Sequence, residues 1–547
     1  MAARRVAAAG PPGRSDVSEG PLVDERSAPL QQRIGLVLGA VGFTALLLWP
    51  DLPLDALQRR VAAVTFLTAS LWVFVAIPVG AASLLPAALL PLLGVLPARA
   101  VAPLYMSDLV LLFIGAFIVA LGLERWDVHR RMALWILTRV GHSPRRLVLG
   151  FMVASASISM WINNTATTLL MLPIGMAVIG KLQPQSGRSN SFAYCLLLGV
   201  AYSASVGGIC TPVGTAPNQV FLGQFVARFV DGPKVSFGDW LLAWLPLALL
   251  FVPIAWFLLT TLIFPLREVG SAGGDQAQKA ARVGEVIREE RRLLGPLTRP
   301  QINMSLIFAL TALLWVTRSD LVIGELRIPG WNRLLLGPEA GDPTWYAQHK
   351  NDVSDATVAT VMALLCFLLP ARDGKGSMLM TWRVATRLPW DVLLLLGAGF
   401  CLANAFKVSG LDVVLGRSIS PLLSGYSSWL IVGGVALLVS FLTEVTSNTA
   451  TTAVLLPVMA AAAVDCGRNP LLVMLPTTVA ASAAFMLPVA TPPNAVVFSS
   501  RQVPIPVMAR AGLLLNLVAV ILITLVFQLW VRRLWNIGDQ LPEWAAP

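Results

Sequence analysis

The sequence predicts an all-α polytopic membrane protein with inverted repeats: about 11 transmembrane spans, two re-entrant hairpins and helices broken at membrane depth. Three observations predict it. First, the 547 residues are 56% hydrophobic and 13% charged, with a mean hydropathy of +0.73, whereas soluble domains carry about 25% charged residues. Second, a polar motif set in apolar sequence occurs twice. SMWINNTATT at Ser159–Thr168 returns as TEVTSNTATT at Thr443–Thr452, with an offset of 284 residues from Asn164 to Asn448. Third, each copy leaves through Leu-Pro (Leu172-Pro173, Leu456-Pro457) and meets a second echo. Gly214-Thr215-Ala216-Pro217-Asn218 is matched by Ala490-Thr491-Pro492-Pro493-Asn494, with an offset of 276 residues from Thr215 to Thr491.

The composition also excludes classes. A net charge of +11 without a basic stripe and interleaved aromatics does not fit nucleic-acid binding; it fits arginines in cytoplasmic loops, which set orientation. The cysteines Cys195, Cys210, Cys366, Cys401 and Cys466 have no metal-ligand spacing and read as small buried hydrophobes. None of the three histidines stands beside the repeated motifs.

In chain order, residues 1–33 are rich in Ala, Gly, Pro, Ser and charge, and read as a disordered cytoplasmic tail. The tail is not a secretory signal, since no apolar core follows closely on its charges. Residues 34–146 hold spans 1–4, at about Ile34–Leu48, Val61–Val79, Ala82–Leu96 and Leu109–Leu123. Glu124–Arg146 follows, with six arginines and a face of Met132, Leu134, Trp135 and Leu137. That pattern predicts an amphipathic helix on the cytoplasmic membrane surface.

Residues 147–264 carry the first hairpin, a broken span 5 and span 6. Leu147–Ile162 and Thr165–Ile179 are each shorter than the roughly 20 residues of a crossing, so they form a hairpin with its tip at Asn163-Asn164-Thr165. Non-helical backbone at that depth is tolerated only where it lines a cavity or is buried in protein. Ser191–Cys210 and Pro217–Val230 form one span broken at Pro212–Ala216, and Trp240–Phe264 is span 6. Residues 265–299 are a polar cytoplasmic linker. Residues 300–427 hold spans 7–9 and a second interfacial helix, with spans at about Ile302–Val316 and Thr357–Leu369 and an external loop between them. The third span there, Asp391–Phe406, echoes Asp108–Leu123 but crosses in the opposite direction, which makes the repeats inverted. Residues 428–547 hold a hairpin entering from outside (about Ser428–Val445 and Ala450–Ala463), a broken span 10 (Leu471–Leu487 and Ala495–Val507) and span 11 (Ala511–Val531).

Two opposed tips and two broken helices would meet near the bilayer midplane. Broken helices expose N–H groups at half-helix N-termini, which attract anions, and carbonyls at C-termini, which coordinate cations. Transporters with inverted repeats use these ends for carboxylates and coupling ions. Ser, Thr and Asn suit charge-assisted hydrogen bonds to carboxylate oxygens. No Lys or Arg lies in either tip or break, so a dianion would need bound cations to balance its charge at low dielectric. Isolated Ser, Thr or Asn in membrane helices usually glue helices together, but the doubled, ordered motifs go beyond that. Glu444, where the first copy has Met160, is either a functional group at membrane depth or a structural carboxylate accepting hairpin hydrogen bonds. Asp108 and Asp391 read as interfacial or capping residues, and Trp161 as packing beside its tip. An embedded enzyme would need a nucleophile, base or metal cluster, which these motifs lack.

At these residues the chain resembles the divalent anion/sodium symporter family, which includes Na⁺-coupled dicarboxylate and citrate carriers. The resemblance rests on the paired tips and the Thr-x-Pro-Asn-like breaks and runs from about span 2 to the C-terminus. It implies that Asn164, Thr165, Thr215, Ser447, Asn448, Thr449, Thr491 and Pro492 bind a substrate dicarboxylate. It implies one sodium at Ser159, Asn163, Asn164 and Gly214, and a second at Thr443, Thr446, Asn448 and Ala490. It further implies a lipid-embedded homodimer whose transport domain (147–264 and 428–547) moves against a scaffold (34–146 and 300–427) like an elevator. The expected activity is Na⁺-coupled symport of C4-dicarboxylates such as succinate, malate or fumarate in a bacterial inner membrane. A Na⁺-independent dicarboxylate exchanger and a Na⁺-coupled citrate or sulfate carrier are the alternatives. The chain departs from the family pattern at Asn163, where Ser is usual, and at Ala216-Pro217, where a Pro-Pro pair is usual.

Overall fold

A computed structural model describes residues 30–546 apart from 50, 142, 183–189, 267–273, 324–325, 336–351 and 375. The expected tail lies outside the described residues up to position 29, and Leu30 already begins a helix. Among the described residues, six helices are long and apolar enough to cross a membrane: Ala98–Arg125, Ser191–Ile209, Phe237–Ile263, Trp390–Ser409, Asn448–Asp465 and Ile505–Leu534. Shorter apolar helices accompany them.

The first half runs α1 (Leu30–Leu48), α2 (Ala56–Val73), α3 (Val79–Ala82), α4 (Leu85–Leu92), α5 (Asp108–Arg125), α6 (Val128–Val140), α7 (Pro144–Ser159), α8 (Asn164–Leu182), α9 (Ser191–Ile209), α10 (Ala216–Arg228) and α11 (Phe237–Phe257). A π-helical turn, Leu258–Ile263, extends α11. The linker contains α12 (Gly274–Leu293). The second half runs α13 (Arg299–Val316), a two-stranded antiparallel hairpin of β1 (Leu321–Ile323) and β2 (Leu326–Ile328), α14 (Asp355–Leu368), α15 (Trp390–Ser409) and α16 (Leu411–Ile419). It ends with α17 (Ser428–Leu442), α18 (Asn448–Asp465), α19 (Leu471–Ala481), α20 (Pro492–Ser499) and α21 (Ile505–Val526).

Several expectations shift. Span 3 is two short helices, α3 and α4, because Pro78 precedes the first and Pro86 starts the second, and proline breaks the hydrogen-bond ladder. The linker is helical for 20 residues; its polarity keeps it out of the membrane, but Ala, Gln, Glu, Lys and Arg are good helix formers. It is tied to α6: Arg130 pairs with Glu290, and Arg131 donates to the carbonyls of Leu294, Gly295 and Pro296 at 2.7–2.9 Å. The loop after α13 holds the small β-hairpin rather than irregular chain alone. Asp391, expected to be interfacial or capping, accepts the Gly80 N–H in the first turn of α3 at 3.0 Å and so joins α15 to α3.

α9 is the central helix, with 94% of its apolar window buried. α7, α8 and α11 pack around it, and the buried rings of Trp240, Trp244, Phe251 and Phe485 fill the body. Leu249, Leu250, Phe257 and Leu262 on α11, and Leu513, Leu517 and Ile521 on α21, stay exposed, as lipid-facing stripes do.

The two hairpins open at opposite ends of α11. At the α11 C-terminal end, Trp256 Nε1 donates to Arg145 O at the mouth of the α7–α8 hairpin, and Cys195 Sγ at the start of α9 contacts Leu259 O. At its N-terminal end, Trp240 packs on Trp535. There Arg532 Nη1 donates to Ser428 Oγ at 3.0 Å, at the mouth of the α17–α18 hairpin. The chain end closes that mouth, with Leu541 N donating to Gly467 O and Trp544 packed on Phe225 and Phe229.

Candidate functional site

Each hairpin tip is a helix start, and the first task of its side chains is to satisfy helix-terminal N–H groups. Asn163 Oδ1 accepts the Ala166 N–H at 2.8 Å, and Ser447 Oγ, the equivalent residue in the second copy, accepts the Ala450 N–H at 3.5 Å. Asn and Ser are interchangeable as N-caps, which accounts for the departure at Asn163. One residue on, Thr168 and Thr452 hydroxyls donate to the carbonyls of Asn164 and Asn448 at 2.8 and 2.7 Å. The hydroxyls of Thr165 and Thr449 are half-buried and make no hydrogen bond among the described residues, so both are free for a ligand.

The breaks are built alike. Asn218 Nδ2 donates to the carbonyls of Gly208, Ile209 and Thr211 at 3.2, 3.0 and 2.8 Å. Asn494 Nδ2 donates to Ala484 O and Leu487 O at 3.3 and 3.0 Å. Each asparagine thus binds carbonyls of the break and of the chain just before it, and its own Oδ1 is buried and unpaired. Both stand in the doubled motif, yet their capping role needs the tertiary path of the broken chain.

The first tip and break are drawn together. In the orientation that satisfies both ends of its amide, Asn164 Nδ2 donates to Ser159 Oγ at 2.6 Å, Ala204 O at 3.1 Å and Gly214 O at 3.3 Å. Three of the four residues assigned to the first sodium are therefore in one cluster, with Asn163 capping beside it. Thr211 Oγ1 donates to Met160 O, closing the same seam. Gly208 leaves room for the Asn164 amide, which a Cβ there would overlap. The Thr215 hydroxyl lies 3.5 Å from Ser482 Oγ of the second half, so the first break touches the arm of the second. Trp161 packs beside its tip, stacked on Phe237 at 5.7 Å and edge-on to Phe308 at 5.0 Å.

The second copy is tied differently. Thr443 Oγ1 contacts Val439 O and Ser440 O at 3.1 Å, and Thr446 Oγ1 contacts Leu442 O at 2.8 Å and Thr451 Oγ1 at 2.7 Å. A hydroxyl whose proton goes to a carbonyl keeps its lone pairs for a cation. Asn448 Oδ1 is buried without a partner, an arrangement that costs about 1–3 kcal/mol unless something coordinates it. Thr491 Oγ1 caps α20 by accepting the Asn494 N–H at 3.4 Å, and Pro492 is its exposed first residue. The Ala490 N–H donates to Leu487 O.

Glu444 resolves as a hydrogen-bond acceptor within the protein. It is 3% exposed and accepts the N–H groups of Phe485, Met486 and Leu487 at 2.7–3.1 Å, with Asn516 Nδ2 at 2.7 Å. Those three residues are non-helical, because α19 stops at Ala481 while α9 continues to Ile209, the position equivalent to Phe485. Unwound N–H groups need an acceptor, and only the second copy supplies a carboxylate.

A cavity of about 640 Å³ reaches Pro212 of the first break from the α11 N-terminal end, and Asp108, Lys234, Phe237 and the Arg318–Asp355 ion pair line its walls.

Comparisons with known proteins agree with this architecture. Residues 31–537 match the family described as the sodium:sulfate symporter transmembrane region. The chain is 35% identical over 530 residues to the sodium-dependent dicarboxylate transporter SdcS of Staphylococcus saprophyticus, covering 95% of each protein. It is 37% identical over 505 residues to SdcS of Staphylococcus aureus, covering 90% of each. Among solved structures it shares the fold of the Alcanivorax borkumensis YdaH transporter (TM-score 0.53, 14% identity, 82% of this chain and 89% of that one). It also shares that of Neisseria gonorrhoeae MtrF (TM-score 0.53, 13% identity, 94% and 96%).

Proposed function

We propose, from the premise that this chain belongs to the sodium:sulfate symporter transmembrane family, that it imports C4-dicarboxylates such as succinate, malate or fumarate, driven by Na⁺. It is a transporter rather than an enzyme, a multi-pass protein of the bacterial plasma membrane. Its relatives at 35% and 37% identity are named sodium-dependent dicarboxylate transporters. The observation that carries the reading is the doubled cluster: two N-capped tips, each beside an asparagine-capped break, with Thr165 and Thr449 hydroxyls free and the Asn448 side-chain Oδ1 unpaired.

Substrate carboxylates would take hydrogen bonds from Asn164, Thr165, Thr215, Ser447, Asn448, Thr449 and the Thr491-Pro492 turn. Sodium would enter at Ser159, Asn163, Asn164 and Gly214, and at Thr443, Thr446, Asn448 and Ala490. Because no Lys or Arg stands in a tip or break, the cations balance the dianion, and burying the dianion without them is prohibitive. Binding of substrate and sodium is then coupled by charge. About 11 crossings in two inverted repeats, suggested by hairpin mouths at opposite ends of α11, would let the hairpin body slide against the α1–α6 and α13–α16 scaffold of a homodimer by an elevator motion.

Radiolabelled succinate uptake into proteoliposomes tests this. Accumulation with an inward Na⁺ gradient, and none with K⁺ in its place, is expected. Na⁺-indifferent uptake confined to succinate-loaded vesicles would overturn symport in favour of exchange, and no succinate uptake would put citrate or sulfate in its place.

A further inference from the structure

Glu444 stands between Thr443 and Thr446, on the tip assigned to the second sodium, and its oxygens are taken up by the unwound chain that follows α19. Three consecutive backbone N–H groups, of Phe485, Met486 and Leu487, converge on them. Successive N–H groups of this kind form an anion-binding concavity, here filled by the chain's own carboxylate. Asn516 on α21 completes it from both sides: its Nδ2 donates to Glu444 Oε1 at 2.7 Å and its Oδ1 accepts Phe485 N–H at 3.0 Å. Four donors thus converge on its two oxygens. The gripped strand leads within three residues to Ala490, and Ala490 N–H is bonded to the carbonyl of the last gripped residue, Leu487.

The clamp therefore fixes how far the tip's oxygens, on Thr443, Thr446 and Asn448, stand from the Ala490 segment. The first copy needs no such clamp: Asn164 bonds directly to Ser159 and Gly214, and Met160 occupies the equivalent of Glu444. We infer that Glu444 is the positioning residue of the second cation site, holding tip and break at sodium-binding separation through the Phe485–Leu487 backbone. The inference rests on the sodium assignment proposed above and adds a residue that does not itself touch the ion. Partners that orient ligands without contacting the metal change affinity by about 10–100-fold when removed.

Na⁺ titration of the purified full-length protein, by thermal shift without substrate and by succinate uptake, tests it on two variants. Glu444→Gln keeps size but turns an NH₂ group toward the N–H donors. It is expected to raise the half-saturating Na⁺ concentration about 10-fold or more, with maximal uptake restored at saturating Na⁺. Asn516→Leu keeps the carboxylate and its three backbone donors and is expected to shift Na⁺ dependence the same way by less. Unchanged Na⁺ half-saturation in a folded Glu444→Gln protein overturns the inference, as does a fall in maximal uptake alone. Should that variant fail to fold, Asn516→Leu decides by the same criterion, and failure of both to fold assigns Glu444 to folding and also overturns it. A wild-type protein that Na⁺ does not stabilise would sink the sodium reading itself, which a wild-type response with an unmoved variant would not.

Discussion

Asn218→Ala and Asn494→Ala remove equivalent side chains with unequal work. Asn218 serves three carbonyls at 2.8–3.2 Å, whereas Asn494 serves two at 3.0 and 3.3 Å. Each net hydrogen bond contributes about 1 kcal/mol, and a buried carbonyl left without a donor costs about 1–3 kcal/mol. Each asparagine also buries an unpaired Oδ1, whose removal offsets part of the loss. An amide NH₂ has two protons, and the Thr211 and Leu487 carbonyls keep the Gly214 and Ala490 N–H groups, so the expected destabilisation is about 2 kcal/mol for each variant, the larger for Asn218→Ala with its shorter contacts. Thermal unfolding of the two purified variants side by side in one detergent gives the ranking, and succinate uptake at saturating Na⁺ gives the functional loss. Asn218→Ala should unfold at the lower temperature and both should lose uptake. The reverse ranking, or wild-type behaviour in both, would refute the carbonyl-capping account of the breaks.

Other consequences can be checked alongside. Asn163→Ser should leave thermal stability unchanged, since either side chain caps α8, while Asn163→Ala should lose about 1 kcal/mol of stability. Gly208→Ala should cut uptake strongly and destabilise by about 1–3 kcal/mol, because the new Cβ overlaps the Asn164 side chain. Trp161→Ala removes the half-buried ring between Phe237 and Phe308 and should cost less than the roughly 3–5 kcal/mol of a fully buried ring, read by thermal unfolding. Burial lowers the His129 pKa on α6 below its ordinary 6.5, so the unfolded chain binds the proton more readily than the folded one. His129 therefore contributes no pH dependence above 6.5 and a loss of stability as pH falls through and below that value. A His129→Gln variant should show a flatter decline in thermal stability across that range.

The class of this protein is written in its sequence, because membrane insertion depends on composition and on runs of apolar residues, both local properties. The doubled tip and break are legible for a related reason: a helix start demands Ser, Thr or Asn, and a broken helix demands Pro and Asn, so the repeat survives as letters. Asn163 and Ser447 show this, as different residues performing one cap. Apolar runs were less informative where proline interrupts them, as at α3 and α4, and polarity hid the helix α12, since helix propensity and membrane exclusion are separate properties. Tertiary structure alone decided what lies across the molecule. That Asn218 and Asn494 each serve carbonyls of the break and of the chain just before it depends on the chain turning back on itself. So does the contact of Thr215 with Ser482, 267 residues apart. Glu444 is the sharpest case. From its neighbours it reads equally as a functional or a structural carboxylate, and only the unwound N–H groups 41 to 43 residues away, brought to it by folding, show where its charge is spent.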